Sequence, residues 1–344
     1  MKPVSYRDPS LTDNAAQPLL SVSDLSVYFR AGRKSSNRVV DNVTFDVARG
    51  ETVGLVGESG SGKTVTGLSL LGLLPEGIAW TEGQIGFDGK DIGKMSESEM
   101  RRLRGRHISM IFQEPMTALD PVFTIGEQLT ETLRTHFPMS KREARERAIT
   151  ALEDVGIPLP HKRVEEYPHH LSGGMRQRAM IAIALACEPD LLIADEPTTA
   201  LDVTIQAQII DLIMKIVSDR NTALIFISHN LGVVSQVCDR MITMYAGQVV
   251  EDSVTDEVLE QPLHPYSSGL LASVPRKSVS SSRLPSIPGR VPSPDAMPPG
   301  CRFEPRCTFA QAGCEAAQVL HRRADGRVVR CHRHDQLTLK GALT

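Results

Sequence analysis

Eight consecutive residues, Gly57-Glu58-Ser59-Gly60-Ser61-Gly62-Lys63-Thr64, satisfy the spacing G-x-x-x-x-G-K-[ST] of a P-loop. The chemistry this suits is a grip on a chain of phosphates. Glycines let backbone N–H groups turn inward, and the helix start that follows adds partial positive charge. Lys63 is expected to reach the β- and γ-phosphates of a nucleoside triphosphate, and the Thr64 hydroxyl to ligate Mg²⁺. Downstream, Leu191-Leu192-Ile193-Ala194 is an apolar run that ends in Asp195-Glu196-Pro197. That is the pattern of a buried parallel strand delivering charge at the carboxyl edge of a sheet. Asp195 is expected to hold Mg²⁺ through water, and Glu196 to polarise an attacking water. An acidic pair after a strand also serves as a helix N-cap, but here a P-loop precedes it in the same chain.

A third segment, Leu171-Ser172-Gly173-Gly174-Met175, opens a helix with free N–H donors, a serine hydroxyl and a positive dipole end. It suits a terminal phosphate. One P-loop already surrounds its own nucleotide, which leaves this segment free for another.

The elements that must hold these groups follow from pattern. Residues 51–56 alternate toward a short apolar strand and 65–74 have helical composition, the strand-loop-helix context a P-loop needs. Residues 19–115 mix short strand patterns with glycine turns, as in Gly83-Gln84-Ile85-Gly86-Phe87-Asp88-Gly89. From 124 to 168 the pattern is helical and charged, with Lys141-Arg142-Glu143-Ala144-Arg145-Glu146-Arg147 a solvated face. Residues 190–250 return to alternating strands and helices, completing a parallel α/β core. Residues 1–18, polar and proline-containing, are expected to be a mobile tail. Beyond Asp252, Pro and Ser become frequent, above all over 278–299, and no long periodic element remains. That stretch reads as a separate appendage.

A chain of 344 residues with 41% hydrophobic content fits two domains and a sizeable core. A net charge of −3 gives no basic field for nucleic acid. No apolar run approaches the roughly 18 residues that span a bilayer, and the first residues hold no apolar signal core. The expected place is the cytoplasm, with membrane association only through partner proteins.

Four of the six cysteines, Cys301, Cys307, Cys314 and Cys331, crowd into the appendage. In a cytosolic protein a disulfide framework is disfavoured, which leaves a metal site as the main functional reading. The spacing lacks the C-x-x-C pairs of structural zinc, although Cys331-His332-Arg333-His334 offers mixed ligands for Zn²⁺. Four soft thiolates suit a [4Fe–4S] cluster, and packing without any metal is the third reading. Cys187 and Cys238, in apolar surroundings, are expected to be inert core residues.

With Arg176-Gln177-Arg178 behind it, the Leu171–Met175 segment resembles the signature motif of ABC-transporter ATPase subunits. Gln113, in Ile111-Phe112-Gln113-Glu114-Pro115, matches the Q-loop, and Thr199-Ala200-Leu201-Asp202 matches the D-loop. His229, in Ile227-Ser228-His229-Asn230, matches the switch histidine. Phe29 is the best match for the aromatic that stacks on adenine, with Tyr28 adjoining it. The motifs run in family order from about residue 20 to 255. The resemblance implies an α/β P-loop NTPase core with a parallel sheet, spanning 19–255, and a helical subdomain near 118–170. It implies ATP bound by Phe29, Gly57, Glu58, Ser59, Gly60, Ser61, Gly62, Lys63, Thr64, Gln113, Asp195 and Asp202, with Mg²⁺ at Thr64, Gln113 and Asp195. Glu196, His229, Gln113 and Lys63 would be catalytic. Ser172, Gly173 and Gly174 would close over the ATP of the opposite subunit in a head-to-tail dimer.

In the appendage, Gln261-Pro262-Leu263-His264-Pro265-Tyr266-Ser267, Leu270-Leu271-Ala272-Ser273-Val274-Pro275 and Ile287-Pro288-Gly289 resemble the C-terminal extension of oligopeptide and dipeptide ABC importers. That implies a small irregular cysteine-containing extension over 256–344 and ATP-driven import of peptides, or of nickel, glutathione or another small solute. Some dipeptide-importer ATPases carry a cluster on a similar cysteine array. Implied partners are a second ATPase subunit, paralogue or self, two permease subunits and an extracytoplasmic solute-binding protein, at the cytoplasmic face of the inner membrane. Two readings of other classes remain. One is a soluble ABC ATPase of DNA repair or translation, which would carry tandem ATPase domains or a long coiled coil. The other is a regulatory module whose metal-bearing tail is its purpose, against which the intact Lys63, Asp195, Glu196 and His229 argue.

Overall fold

Unbroken apolar runs become the middle of an eight-stranded sheet, as strands covered on both faces require. This computed structural model describes residues 17–32, 35–199, 201–274 and 286–342. Two long strands, β1 (Leu20–Arg30) and β2 (Ser36–Val47), precede β3 (Thr52–Val56), whose residues are all buried. The P-loop then leads into α1 (Lys63–Leu70). Strands β4 (Ala79–Phe87) and β5 (Lys90–Asp91) are joined by Asp88 and Gly89 at φ 47° and 75°. Two left-handed residues in a row make the turn that matches strand twist in a hairpin. After β6 (Ile108–Ile111) come α2 (Ile125–His136), α3 (Lys141–Asp154) and α4 (Gly173–Leu185). Next are β7 (Leu191–Asp195), α5 (Val203–Arg220), β8 (Ala223–Ser228), α6 (Leu231–Val237), β9 (Arg240–Tyr245) and β10 (Gln248–Val254). The chain ends with α7 (Pro265–Ala272) and two short strands, β11 (His321–Arg322) and β12 (Val328–Val329).

The large sheet has the order β11-β12-β10-β9-β3-β8-β7-β6, and the smaller one β2-β1-β4-β5. Within the large sheet β9, β3, β8, β7 and β6 run parallel. Their carboxyl ends therefore share one edge, where the P-loop, Gln113, Asp195 and His229 all begin. Alternate residues face two cores. Val53, Leu55, Ile193, Ile225 and Ile227 pack toward the small sheet, while Leu192, Ala194, Leu224 and Phe226 join the cluster of α4 and α5.

Both helices of the charged stretch start with reciprocal caps. Thr124 with Glu127, and Ser140 with Glu143, each exchange side-chain and backbone hydrogen bonds. Ile125, Leu129 and Leu133 on α2, and Ala144, Ala148 and Leu152 on α3, recur every four residues and are buried. Residues 141–147 otherwise face solvent, as their charges imply.

The C-terminal stretch is less separate than its composition implies. Strand β12 pairs with β10 through Glu251 opposite Val329 and Asp252 opposite Val328, so the tail extends the core sheet. Such pairing joins residues far apart in sequence through strands of two residues, too short to show periodicity. Most of the tail expected over 1–18, residues 275–285 and Ala200 lie outside the described residues. Among the described residues no helix is long and apolar enough to cross a membrane.

Candidate nucleotide site

Strand β3 delivers a loop that only glycine fits. At Gly57, φ is 152° and a Cβ would lie 2.2 Å from the Met244 carbonyl oxygen. Gly62, at φ 97°, occupies the N-cap of α1, and a side chain there would be strained. Lys63 is 5% exposed and its Nζ donates to the Gly57 and Glu58 carbonyls at 2.7 and 2.9 Å and to Ser61 Oγ at 3.3 Å. Burial lowers its pKa, against the pull of Glu196 and Asp195. The amine sits inside the loop that it is expected to complete.

From the next strand but one, Asp195 Oδ1 accepts a hydrogen bond from Thr64 Oγ1 at 3.2 Å. Burial raises the Asp195 pKa, and Glu196 beside it adds to the rise. A cation between Thr64 and Asp195 would remove that cost. The two oxygens suit a hard cation such as Mg²⁺.

Glu196 gathers the rest. Gln113 Nε2 donates to its Oε2 at 3.1 Å, Thr199 Oγ1 donates to the same oxygen at 3.0 Å, and His229 Nδ1 lies 3.0 Å from Oε1. These groups come from the ends of β6, β7 and β8. Burial alone would raise the Glu196 pKa, but hydrogen bonds from His229 and Thr199 outweigh it and the net shift is downward. The backbone at Glu196 is left-handed, with φ 44°, a strained setting for a residue with a side chain. Its carboxylate is 16% exposed and the His229 side chain 62%. The Glu196 carboxylate thus stands next to buried Asp195, while Thr64 is open to solvent.

The signature segment does not join this cluster. Ser172 caps α4, its Oγ accepting from Met175 N–H at 3.4 Å. Ser172 and Gly173 are exposed, and a Cβ on Gly173 would meet nothing within 4 Å. Asp202 likewise caps α5 through Ile205 N–H at 3.0 Å. Two helix N-termini therefore face outward, with no hydrogen bond to the P-loop among the described residues. One tie links them to the catalytic edge: buried Gln177 on α4 donates to the Pro197 carbonyl at 2.5 Å.

The two residues expected near adenine have different surroundings. Tyr28 stacks on Trp80 at 5.3 Å and donates to Glu82 at 3.2 Å. Its neighbour Phe29 packs against the core cluster that includes Val65 and Leu68 of α1.

Sequence reasoning missed four participants. Thr199 was visible only as part of a loop motif, Gln177 only as part of the signature. Tyr266 and Arg306 had no signal as partners of the P-loop, yet the structure brings both to Glu58. The Glu58 N–H donates to Tyr266 Oη at 2.8 Å, and its carboxylate takes both Arg306 nitrogens at 3.0 and 3.1 Å. Glu58 was expected to bind nucleotide. Its amide N–H and carboxylate bond to tail residues, while its carbonyl accepts from Lys63.

The four tail cysteines are free thiols that line one cavity together with His264, Phe303, Phe309 and His332. Cys301 N–H donates to the Cys314 carbonyl at 2.8 Å, closing the loop between them. Burial pushes the Cys301 thiol up to about 11 and raises Cys307 and Cys331. Among the described residues, no three His, Cys, Asp or Glu side chains are placed to hold a single metal ion. The metal expectation therefore has no single-ion site behind it. His334 turns to Arg323 and Asp335. Cys187 and Cys238 are buried, and burial raises both thiols.

A P-loop joined to a buried aspartate, a glutamate held by three side chains and an outward helix start defines a nucleotide-hydrolysing cassette. The chain belongs to the ABC transporter family: residues 40–199 match the family described as ABC transporter. Residues 250–314 match the oligopeptide/dipeptide transporter C-terminal region. The oligopeptide transport ATP-binding protein AppD of Bacillus subtilis is 51% identical over 92% of this chain and 97% of its own length. Among solved structures, the dimeric ATP-binding cassette MJ0796 bound to ADP and Pi superposes with a TM-score of 0.61 at 26% identity, covering 69% of this chain and 98% of that one. The cbiO1 subunit of Clostridium perfringens, part of an ABC transporter complex, gives 0.59 at 26% identity over 71% and 91%.

Proposed function

We propose that this chain is the ATP-hydrolysing subunit of a peptide importer, working as one of a head-to-tail pair beneath two permease subunits supplied by an extracytoplasmic solute-binding protein. The observation that carries the ATPase reading is Glu196, held by Gln113, Thr199 and His229 at the shared edge of three strands. The peptide reading rests on the tail family and on relatives such as AppD. With no membrane-crossing helix among the described residues, the chain would meet the inner membrane at its cytoplasmic face through the permeases.

Within each subunit, the P-loop N–H groups and Lys63 hold the phosphates, and Phe29 stacks on adenine. Thr64, Asp195 and Gln113 would hold Mg²⁺, which supplies charge neutralisation between the β- and γ-phosphates. Glu196 takes the proton of the attacking water, and His229 orients both water and γ-phosphate. Ser172, Gly173 and Gly174 serve the opposite nucleotide, from a helix end that faces out. Positioned electrostatics supply most of the rate in such a loose transition state. The core spans 19–255, and the tail from 256 is an extension built onto it.

Cys301, Cys307, Cys314 and Cys331 would hold a [4Fe–4S] cluster. Four thiols lining one cavity supply the donor set such a cluster takes, although among the described residues no three of them are grouped to hold a metal ion. Such a cluster supplies four thiolate bonds that staple the irregular tail. Iron and acid-labile sulfide assays on anaerobically purified protein, with a Cys301→Ser control, test this. Near-equal iron and sulfide lost in the control supports it, and stoichiometric zinc or no metal rejects it.

The cargo is tested with the chain reconstituted beside its permeases and binding protein in vesicles. Peptide-stimulated ATP turnover with peptide accumulation is the expected result. Stimulation by a nickel chelate or glutathione and not by peptides would move the substrate class, and turnover indifferent to permeases would reject transport.

A further inference from the structure

The two arginines that flank the first two tail cysteines lead to the P-loop, Arg306 directly and Arg302 through the turn at Ala246 and Gly247. Arg306, just before Cys307, forks onto Glu58, and its Nε donates to the Pro288 carbonyl at 2.8 Å. Its side chain is 6% exposed and that of Glu58 29%, so the pair is half-shielded, and its two parallel bonds orient both groups. Arg302, just after Cys301, is buried against Asp41 and the Ala246 carbonyl. The next residue, Gly247, donates its N–H to the Ser61 carbonyl at 2.9 Å. That turn has no slack, since a Cβ on Gly247 would lie 2.2 Å from the Val39 carbonyl oxygen. Between the two arms, Tyr245, Tyr266 and Phe303 pack ring on ring with centroids 4.7 to 5.3 Å apart. Tyr266 adds the acceptor for the Glu58 N–H.

We propose that Arg306, Tyr266 and Arg302 are positioning residues of the nucleotide site. They fix the P-loop from behind at Glu58 and Ser61, so that ATP affinity depends on the cysteine-lined cavity from whose walls the two arginines spring. None of the three touches the phosphates. Their effect is to hold the loop in the shape that binds, sparing ATP the cost of ordering it. Cys307 lines the cavity and is bonded to Arg306 through the chain, so any change in how the cavity is filled moves the fork.

The proposal rests on ATP binding and is independent of the cargo. It is tested on the purified full chain by steady-state ATP hydrolysis and by equilibrium binding of a fluorescent ATP analogue. Arg306→Gln is expected to raise KM and the analogue Kd about tenfold with kcat little changed. Arg306→Lys should recover part of the loss, having the charge without the fork. Tyr266→Phe, nearly isosteric, should raise Kd several-fold and serves if Arg306→Gln does not fold. Adding Glu58→Gln to Arg306→Gln should cost nothing further, since both remove one interaction. Cys307→Ala should raise Kd in the wild type and not in the Arg306→Gln background. A merely structural role would lower the melting temperature and the active fraction at unchanged KM, and that result, or strictly additive effects in either pair, overturns the proposal. Failure of the wild type to bind the analogue at all would instead reject the ATPase reading.

Discussion

Two glutamates stand at the P-loop, and their partners could hardly differ more. Glu196, on the catalytic edge, is held by an amide, a hydroxyl and an imidazole, each through one hydrogen bond near 3 Å. Glu58, on the opposite side, is locked by a guanidinium fork and a buried tyrosine. The first arrangement keeps a carboxylate ionised while leaving its oxygens able to exchange partners for water. The second spends its oxygens on one charged partner and fixes a backbone. Chemistry needs the former and shape the latter, and the chain uses the same residue type for both.

The sharpest test of the difference is amide replacement at each. Glu196→Gln removes the base and should lower kcat by about 10²- to 10⁴-fold while ATP binding stays and the closed dimer accumulates. Glu58→Gln should leave kcat near normal and weaken binding. Normal steady-state hydrolysis by Glu196→Gln would erase the contrast. A smaller effect is expected at Thr199, whose hydroxyl is one of three partners of Glu196. Thr199→Val should cost about tenfold in kcat with little change in KM, and a loss as large as that of Glu196→Gln would mean the three partners act as one unit.

The same contrast explains what could be read in advance. The catalytic edge was legible because each of its residues ends a strand of parallel, fully buried backbone. Apolar runs such as 191–194 and 223–227 announce such strands, and the motif residue follows at once. The helical stretch was legible from its helical, charged pattern, while its caps and four-residue buried spacing emerged only in the fold. The tail was legible as composition and as a family resemblance, but not as structure. Its two-residue strands carry no period, and its arginines reach Glu58 and Asp41 from 248 and 261 residues away, a distance no local pattern encodes. Thr199 fell between the two cases, in a recognised loop whose hydrogen bond only the fold reveals. Outward placement of Ser172 likewise followed from its helix start, whereas the cap that Asp202 makes and the inward tie of Gln177 did not.

Acid and base should separate the regions once more, with the smallest effect. Glu251 on β10 is wholly buried and accepts the N–H groups of Leu263 and His264 at 2.7 and 3.0 Å, where the tail leaves the core. Burial pushes it up to about 7, so the folded state holds a proton that the unfolded chain has lost above its ordinary value of 4.5. The stability this proton lends is full below 4.5, falls as pH rises toward 7 and is gone above it, on the order of 3 kcal/mol in all. Glu196 has the opposite sign: its pKa is lowered, so its contribution is full above 4.5 and lost only as pH falls below that. Between pH 5 and 8, therefore, the melting temperature of Glu251→Gln should gain on the wild type by a few degrees, while that of Glu196→Gln should run parallel to it. Parallel curves for both would show that Glu251 is relieved of its burial by a neighbour, and the junction of tail and core would then carry no proton of its own.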